Sequence, residues 1–135
     1  MSWSITLKII NDSGDTLKIV EKTCQIGSTW TDNNGDQYLA MTSSGTSGVL
    51  RFEAGNGERF IVAAGVHSYK RWSSILVDLD DNRTAMKVHP TYYEGGPDKP
   101  DQHEQITKVT AKGRTVGIYY YIPDGTNLRA VITYA

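Results

Sequence analysis

Apolar and polar residues alternate with a period of two along most of the chain. Trp3, Ile5, Leu7 and Ile9 share one side of the first segment, and Ser4, Thr6 and Lys8 share the other. That is the pattern of a half-buried strand. Asn11-Asp12-Ser13-Gly14-Asp15 reads as a turn, and Leu17 to Val20 resumes strand character. Asp32-Asn33-Asn34-Gly35-Asp36 turns the chain again before Gln37 to Thr42. Val49-Leu50-Arg51-Phe52-Glu53-Ala54 alternates, Gly55-Asn56-Gly57 turns, and Phe60-Ile61-Val62-Ala63-Ala64 is continuously apolar. Thr84 to His89 reads as a strand ended by Pro90. Val116, Ile118 and Tyr120 alternate with Gly117, Tyr119 and Tyr121. After Pro123-Asp124-Gly125, Leu128, Ala130, Ile132 and Tyr134 alternate to the end.

Short strands between turn clusters describe an all-β protein, a sandwich or barrel. Two segments have helical spacing and set an upper limit of two short helices. One is Tyr69 to Asp78, through Trp72, Ile75 and Leu76, and the other is Asp101 to Val109. Glu94 to Asp101, rich in Gly, Pro and Asp, reads as a loop within the domain. No internal repeat is present.

The 135 residues make one domain, 1–135, with 39% hydrophobic content to build one core. A net charge of −1 provides no field for nucleic acid or for an acidic membrane. Cys24 is alone, so no intrachain disulfide forms and a reducing compartment is expected. Met-Ser-Trp-Ser-Ile has neither the basic start nor the apolar run of a secretory signal, so a cytoplasmic location is expected.

The candidate chemistry lies between Thr42 and Trp72. Ser43-Ser44-Gly45-Thr46-Ser47-Gly48 is a run of hydroxyls and glycines ahead of one strand, and Gly65-Val66-His67-Ser68-Tyr69-Lys70-Arg71-Trp72 ends the next. Paired as a hairpin, these strands bring the hydroxyl loop and His67-Ser68 to the same end. Such a surface suits a neutral polyhydroxylated ligand, because hydroxyls and backbone groups match sugar hydroxyls one for one. His67 reads either as a ligand contact or as a hydrogen-bonded structural histidine. Lys70-Arg71 beside Trp72 reads as a solvated rim over a core tryptophan rather than a nucleic-acid contact. In Tyr119-Tyr120-Tyr121 at most two rings share a face, for sugar stacking or for packing. Asp78-Leu79-Asp80-Asp81-Asn82 begins like a calcium loop but fails where the loop is diagnostic. Arg83 stands where Gly makes the bend, and His89 where a bidentate Glu closes the shell. No nucleophile elbow, zinc-binding helix motif or phosphate loop occurs, which favours a binding module without metal or cofactor over an enzyme.

Ser44-Gly45-Thr46-Ser47-Gly48, Leu50-Arg51-Phe52, Gly65-Val66-His67 and Tyr69-Lys70-Arg71-Trp72 resemble the fungal fruit-body lectins of the Agaricus bisporus type. Thr84-Ala85, Tyr92-Tyr93, Asp101-Gln102, Ala111-Lys112-Gly113-Arg114 and Gly125-Thr126-Asn127-Leu128 follow in the family's order. The resemblance runs from Thr29 to Ala135. It implies an actinoporin-like β-sandwich of two packed sheets, without the pore-forming helix. It also implies recognition of the T-antigen disaccharide, galactose β1-3 linked to N-acetylgalactosamine, without catalysis. The residues carried over are Ser44, through its hydroxyl, Gly45, through its backbone N–H, His67 and Ser68. Ser68 stands where the family commonly has Asn. The family's second site, for terminal N-acetylglucosamine, falls on Ser74, Val77, Pro100 and roughly Lys108, where its gripping side chains are replaced. Family members are dimers and tetramers, so a homo-oligomer binding glycoproteins is expected. The alternative, a membrane-lytic protein of actinoporin type, needs a free amphipathic N-terminal helix. Trp3 to Ile10 has strand period instead.

Overall fold

A computed structural model describes residues 2–95 and 98–135. Ten strands run in chain order: β1 (Trp3–Asn11), β2 (Leu17–Cys24), β3 (Ser28–Asn33), β4 (Asp36–Met41), β5 (Thr46–Ala54), β6 (Arg59–His67), β7 (Lys70–Leu76), β8 (Gln105–Val109), β9 (Thr115–Ile122) and β10 (Asn127–Tyr134). Among the described residues one helical segment interrupts them. It is an α-turn, α1 (Ala85–Val88), running on as a 3-10 turn through His89–Tyr93. The expected all-β sandwich of two sheets is what forms. One sheet has the order β3-β4-β1-β10-β9-β8 and the other β2-β5-β6-β7.

The alternation of the first and last segments explains the centre of the larger sheet. β1 and β10 lie parallel, with Ile5 opposite Leu128 and Ile9 opposite Ile132. Their inward side chains meet those of β5 and β6 in one core, which includes Ile5, Leu7, Leu50, Phe52, Phe60 and Tyr134. Phe60 stacks on Phe52 at 4.8 Å and on Tyr134 at 5.2 Å.

The smaller sheet is buried on both faces of β5, β6 and β7, and this accounts for the misread spacing of β7. Val49, Ile61, Ala63, Trp72 and Leu76 face a second core, against Ala85, Val88 and Tyr92 of the helical segment. Phe60 to Ala64 is continuously apolar for this reason. Tyr69 to Asp78 holds strand β7, not a helix. Trp72 and Leu76 point to the second core and Ile75 to the first, so burial on two faces imitates helical spacing. The segment from Asp101 to Val109, expected as a helix, holds edge strand β8, whose Ile106 and Val109 suit a pleated surface.

Thr84 to His89, expected as a strand, is helical instead. Thr84 caps the turn in extended geometry and its side chain accepts from the Lys87 amide. The Ala85 and Met86 amides donate to the two carboxylate oxygens of Glu21 at 2.7 and 3.0 Å. Pro90 sits at the start of the 3-10 turn, where no backbone donor is needed. Of the expected loop from Glu94 to Asp101, Gly96 and Pro97 lie outside the described residues. Asp101 forms an isolated bridge with Ser73, its amide and carbonyl each bonded at 2.8 Å. Among the described residues no helix is long and apolar enough to cross a membrane.

Candidate functional site

β5 and β6 pair antiparallel from Thr46↔Val66 to Glu53↔Arg59. The hydroxyl loop and the β6–β7 turn therefore meet at one end of the sandwich. Ser68 and Tyr69 form that turn alone, between paired His67 and Lys70. Both have positive φ, 50° and 64°. This is the backbone of a type I′ hairpin turn, which Asn-Gly usually fills, as Asn34-Gly35 does between β3 and β4. Ser-Tyr adopts it at a cost, and such strain gathers at ligand-binding positions.

A hydrogen bond across the gap holds the turn. The Tyr69 amide donates to Ser44 Oγ at 3.0 Å. Ser44 thus uses one lone pair on the protein and keeps its O–H for a ligand. The Gly45 amide donates to the Val66 carbonyl at 2.7 Å. The backbone donor that the resemblance assigned to the sugar is therefore engaged within the protein. What Gly45 contributes is openness: at φ +93° it has nothing within 4 Å of where a Cβ would stand. Ser68 is exposed beside it. Tyr69 is 73% exposed, and its ring lies 6.4 Å from that of Trp3. Sequence reasoning missed this aromatic wall. Its signal was a turn of only two residues with a large apolar side chain in it.

His67 is placed differently. Alternation along β6 puts it on the side of Gly65 and Ala63, and it lines a neighbouring cleft of about 760 Å³ with Trp72, Pro100, Asp101, Gln102 and His103. It is exposed and makes no hydrogen bond among the described residues, so it is not a hydrogen-bonded core histidine. The His103 backbone amide and the Asp101 carboxylate lie 2.8 Å apart, and this bond with the His103 ring holds the Asp101 carboxyl below its ordinary range. Trp72 is buried under the Lys70-Arg71 rim, as the sequence indicated. Tyr120 is buried, while Tyr119 and Tyr121 are 42% and 46% exposed on the opposite side.

A buried polar cluster supports the hydroxyl loop from behind. His89 is almost fully buried, with Nε2 2.8 Å from Ser47 Oγ and Nδ1 2.7 Å from Thr23 Oγ1. Ser47 Oγ also meets the Tyr93 hydroxyl at 2.5 Å. Burial lowers the His89 pKa to about 4, so the ring is neutral and accepts at one nitrogen while donating at the other. Ser47 has no exposed surface. The serine–histidine pair therefore ties the helical segment to the sheet and is closed to any substrate. On the other flank, the loop before β3 is bonded to the hydroxyl loop. The Ser47 carbonyl accepts from the Gln25 amide at 2.9 Å and from Ser28 Oγ at 3.1 Å. Among the described residues no three His, Cys, Asp or Glu side chains gather as metal ligands.

Comparison with known proteins gives this geometry its context. The family described as "Fungal fruit body lectin" matches residues 1–132. The lectin of Boletus edulis is 36% identical over 143 residues, with 100% of each chain covered. The wild-type lectin of Xerocomus chrysenteron superposes with a TM-score of 0.94 at 38% identity, covering 100% of both chains. A mutated form of that lectin gives a TM-score of 0.95 at 38% identity, over 100% of this chain and 99% of the other. The chain belongs to the fungal fruit body lectin family, and it is a carbohydrate-binding protein without catalytic function.

Proposed function

We propose that the chain binds the T-antigen disaccharide at the end of the β5–β6 hairpin, as its likeness to the Agaricus bisporus type implies. Ser44 donates its hydroxyl proton to a sugar oxygen, Gly45 leaves room for the ring, and Ser68 reaches the sugar directly or through water. Tyr69 offers an apolar face beside these polar groups, and His67 borders the site from the adjoining cleft. The observation that carries this reading is the bond from the Tyr69 amide to Ser44 Oγ. It holds a hydroxyl and an exposed aromatic ring together on a strained turn. Binding needs no metal. A glycan array followed by calorimetry with the disaccharide, with and without EDTA, tests it. Saturable binding insensitive to EDTA is expected, and an array without T-antigen hits refutes it.

A shallow polar site exchanges water for sugar hydroxyls and gains little per contact, so avidity for glycoproteins rests on several sites in one particle. The outer face of the larger sheet exposes Tyr38, Tyr119, Tyr121 and Ile122, an apolar surface for self-association. A homo-oligomer is expected by sedimentation at micromolar concentration, together with haemagglutination. The membrane-lytic alternative has no observation in its favour. β1, from Trp3, is a central strand paired with β4 and β10. A location in the cytoplasm is part of the same proposal.

A further inference from the structure

We propose that the open seam between the two sheets, along β2, is a binding site for a free single-chain amphiphile with a carboxylate head. A cleft of about 690 Å³ lies there, between β2, the end of β1 and the tip of the β3–β4 hairpin. Its floor is the main core itself. Phe52 is buried, while Ile9, Leu17 and Ile19 pack on the same core and are left only half-buried. Apolar side chains that join a core and stay wet favour any apolar group that covers them. The volume falls within the usual range of about 300–1,000 Å³ for small-molecule pockets, which suits a chain of medium length. The inference is independent of the reading of the Ser44 site.

Charge decides the head group. β2 carries a bulge between Ile19 and Glu21. Ile19 pairs with Phe52 and Lys22 with Leu50, and both partners belong to the main core, so Ile19 and Lys22 share the inner face. Unbroken alternation from Leu17 and Ile19 would have put Glu21 there. The bulge instead sends Glu21 outward to accept from the Ala85 and Met86 amides, and turns Lys22 toward the cleft. Lys22 Nζ donates to Gln37 Oε1 at 2.5 Å, which leaves two of its three protons for a ligand. Gln37 is 1% exposed, and its Nε2 donates to Asp32 Oδ2 at 3.0 Å and to Gly35 O at 3.1 Å. Asp32 Oδ1 accepts from the Gly35 amide at 3.0 Å, so both carboxylate oxygens are engaged within the hairpin. Lys18 also lines the cleft and has no ion-pair or hydrogen-bond partner among the described residues. Two ammonium groups against one carboxylate leave the mouth net cationic, which a carboxylate head complements. Lysines on an edge strand also discourage strand-to-strand aggregation. That role asks only for exposed lysines and does not explain one turned inward beside uncovered apolar residues.

The test uses the whole protein, isotopically labelled, titrated with sodium octanoate, decanoate and dodecanoate below their micelle concentrations. Decyltrimethylammonium is the cationic control. Saturable amide shifts at Ile19, Lys22 and Gln37 are expected with the carboxylates. Affinity should rise about two- to four-fold per added methylene, the upper figure for full burial and the lower for a cleft that leaves one side wet. Lys22→Met keeps the apolar stem and removes the charge. It should weaken decanoate by about five-fold and leave decanol binding unchanged, with a parent-like thermal midpoint to show that it is folded. Should that variant not fold, the chain-length series and the cationic control on the parent decide. The proposal is overturned if no chain saturates, or if acetate binds as tightly as decanoate. A cationic amphiphile that binds as well as the carboxylate overturns it, as does full decanoate binding by folded Lys22→Met. Shifts at these residues that follow protein concentration alone would make the seam a contact between copies. Binding to phosphatidylserine vesicles without binding to the free chains would make it a membrane contact, and either result overturns the proposal.

Discussion

Replacing Ser44 by Ala separates two things that one oxygen does. In the free protein, Ser44 Oγ accepts the Tyr69 amide at 3.0 Å. In the proposed complex it would also donate to a sugar hydroxyl. The variant loses the second bond outright, and a net hydrogen bond is worth about 1 kcal/mol. It also releases the Ser68-Tyr69 turn, whose two positive φ values cost energy unless something holds them. Ordering that turn again on binding adds up to about 1 kcal/mol more. Together these give a five- to thirty-fold loss of affinity, or about 1–2 kcal/mol. Stability should barely move, because the bond lies at an exposed position where water replaces Oγ as acceptor for the Tyr69 amide. Calorimetry with the T-antigen disaccharide measures the first effect and thermal unfolding the second. Ser44→Thr keeps the hydroxyl and should retain most of the affinity. Parent-like affinity in Ser44→Ala would refute the reasoning, and so would a loss matched by a large fall in thermal midpoint.

Gly45→Ala should cost about 1 kcal/mol of stability from its φ of +93° alone, and weaken the disaccharide further because the new methyl group enters open ligand space. Thermal unfolding and calorimetry read the two parts, and unchanged affinity places the sugar elsewhere. His89 titrates near 4 when folded and near 6.5 when unfolded. Between these values the unfolded chain binds more protons, so its contribution is fully present above about pH 6.5 and is lost as pH falls toward 4. The loss is about 2 kcal/mol once water entry at the edge of the helical segment is allowed for. Denaturant unfolding across this range in the parent and in His89→Phe measures it, and equal slopes contradict the assignment. Neutral N-acetylglucosamine should not bind at the family's second site. Ser74 and Val77 lack the carboxylate and hydroxyl expected there, and Pro100 has no guanidinium. Saturable calorimetric binding of that sugar, independent of T-antigen, counts against this.

The sequence was legible wherever a strand had one wet face. β1, β9 and β10 show their inward residues by alternation alone, and the hairpin placing Ser44 beside Ser68 follows from the paired patterns of β5 and β6. It was illegible where a strand is buried twice. Trp72, Ile75 and Leu76 take a helical spacing only because a helix covers the far side of β7. The covering helix was hidden for the converse reason. Nine residues from Ala85 to Tyr93 are too few to show a period, and the carboxylate that caps them, Glu21, is on β2, more than sixty residues away. Within the site, residue types were readable but hydrogen-bond assignments were not. Nothing in the order of amino acids tells that the Gly45 amide turns to Val66, or that Ser44 meets the Tyr69 amide.

The misread helix bears on function more than its length suggests. A binding loop made of serine, threonine and glycine has little side-chain bulk to define its shape, and an unsupported loop would lose entropy on meeting a sugar. Here the loop is bonded at several points before any ligand arrives. Thr46 Oγ1 donates to Ser43 O at 3.1 Å, Gly45 is bonded to Val66, and Ser47 is held from below by His89 and Tyr93. The last of these supports exists only because the helical segment packs on the outer face of the smaller sheet and carries a neutral histidine inward. A hydroxyl-rich loop, flexible by composition, is thereby preorganised by a residue that touches no ligand. Its dependence on His89 follows from geometry: Ser47 is three residues from Ser44, so loosening one end of the run loosens the other.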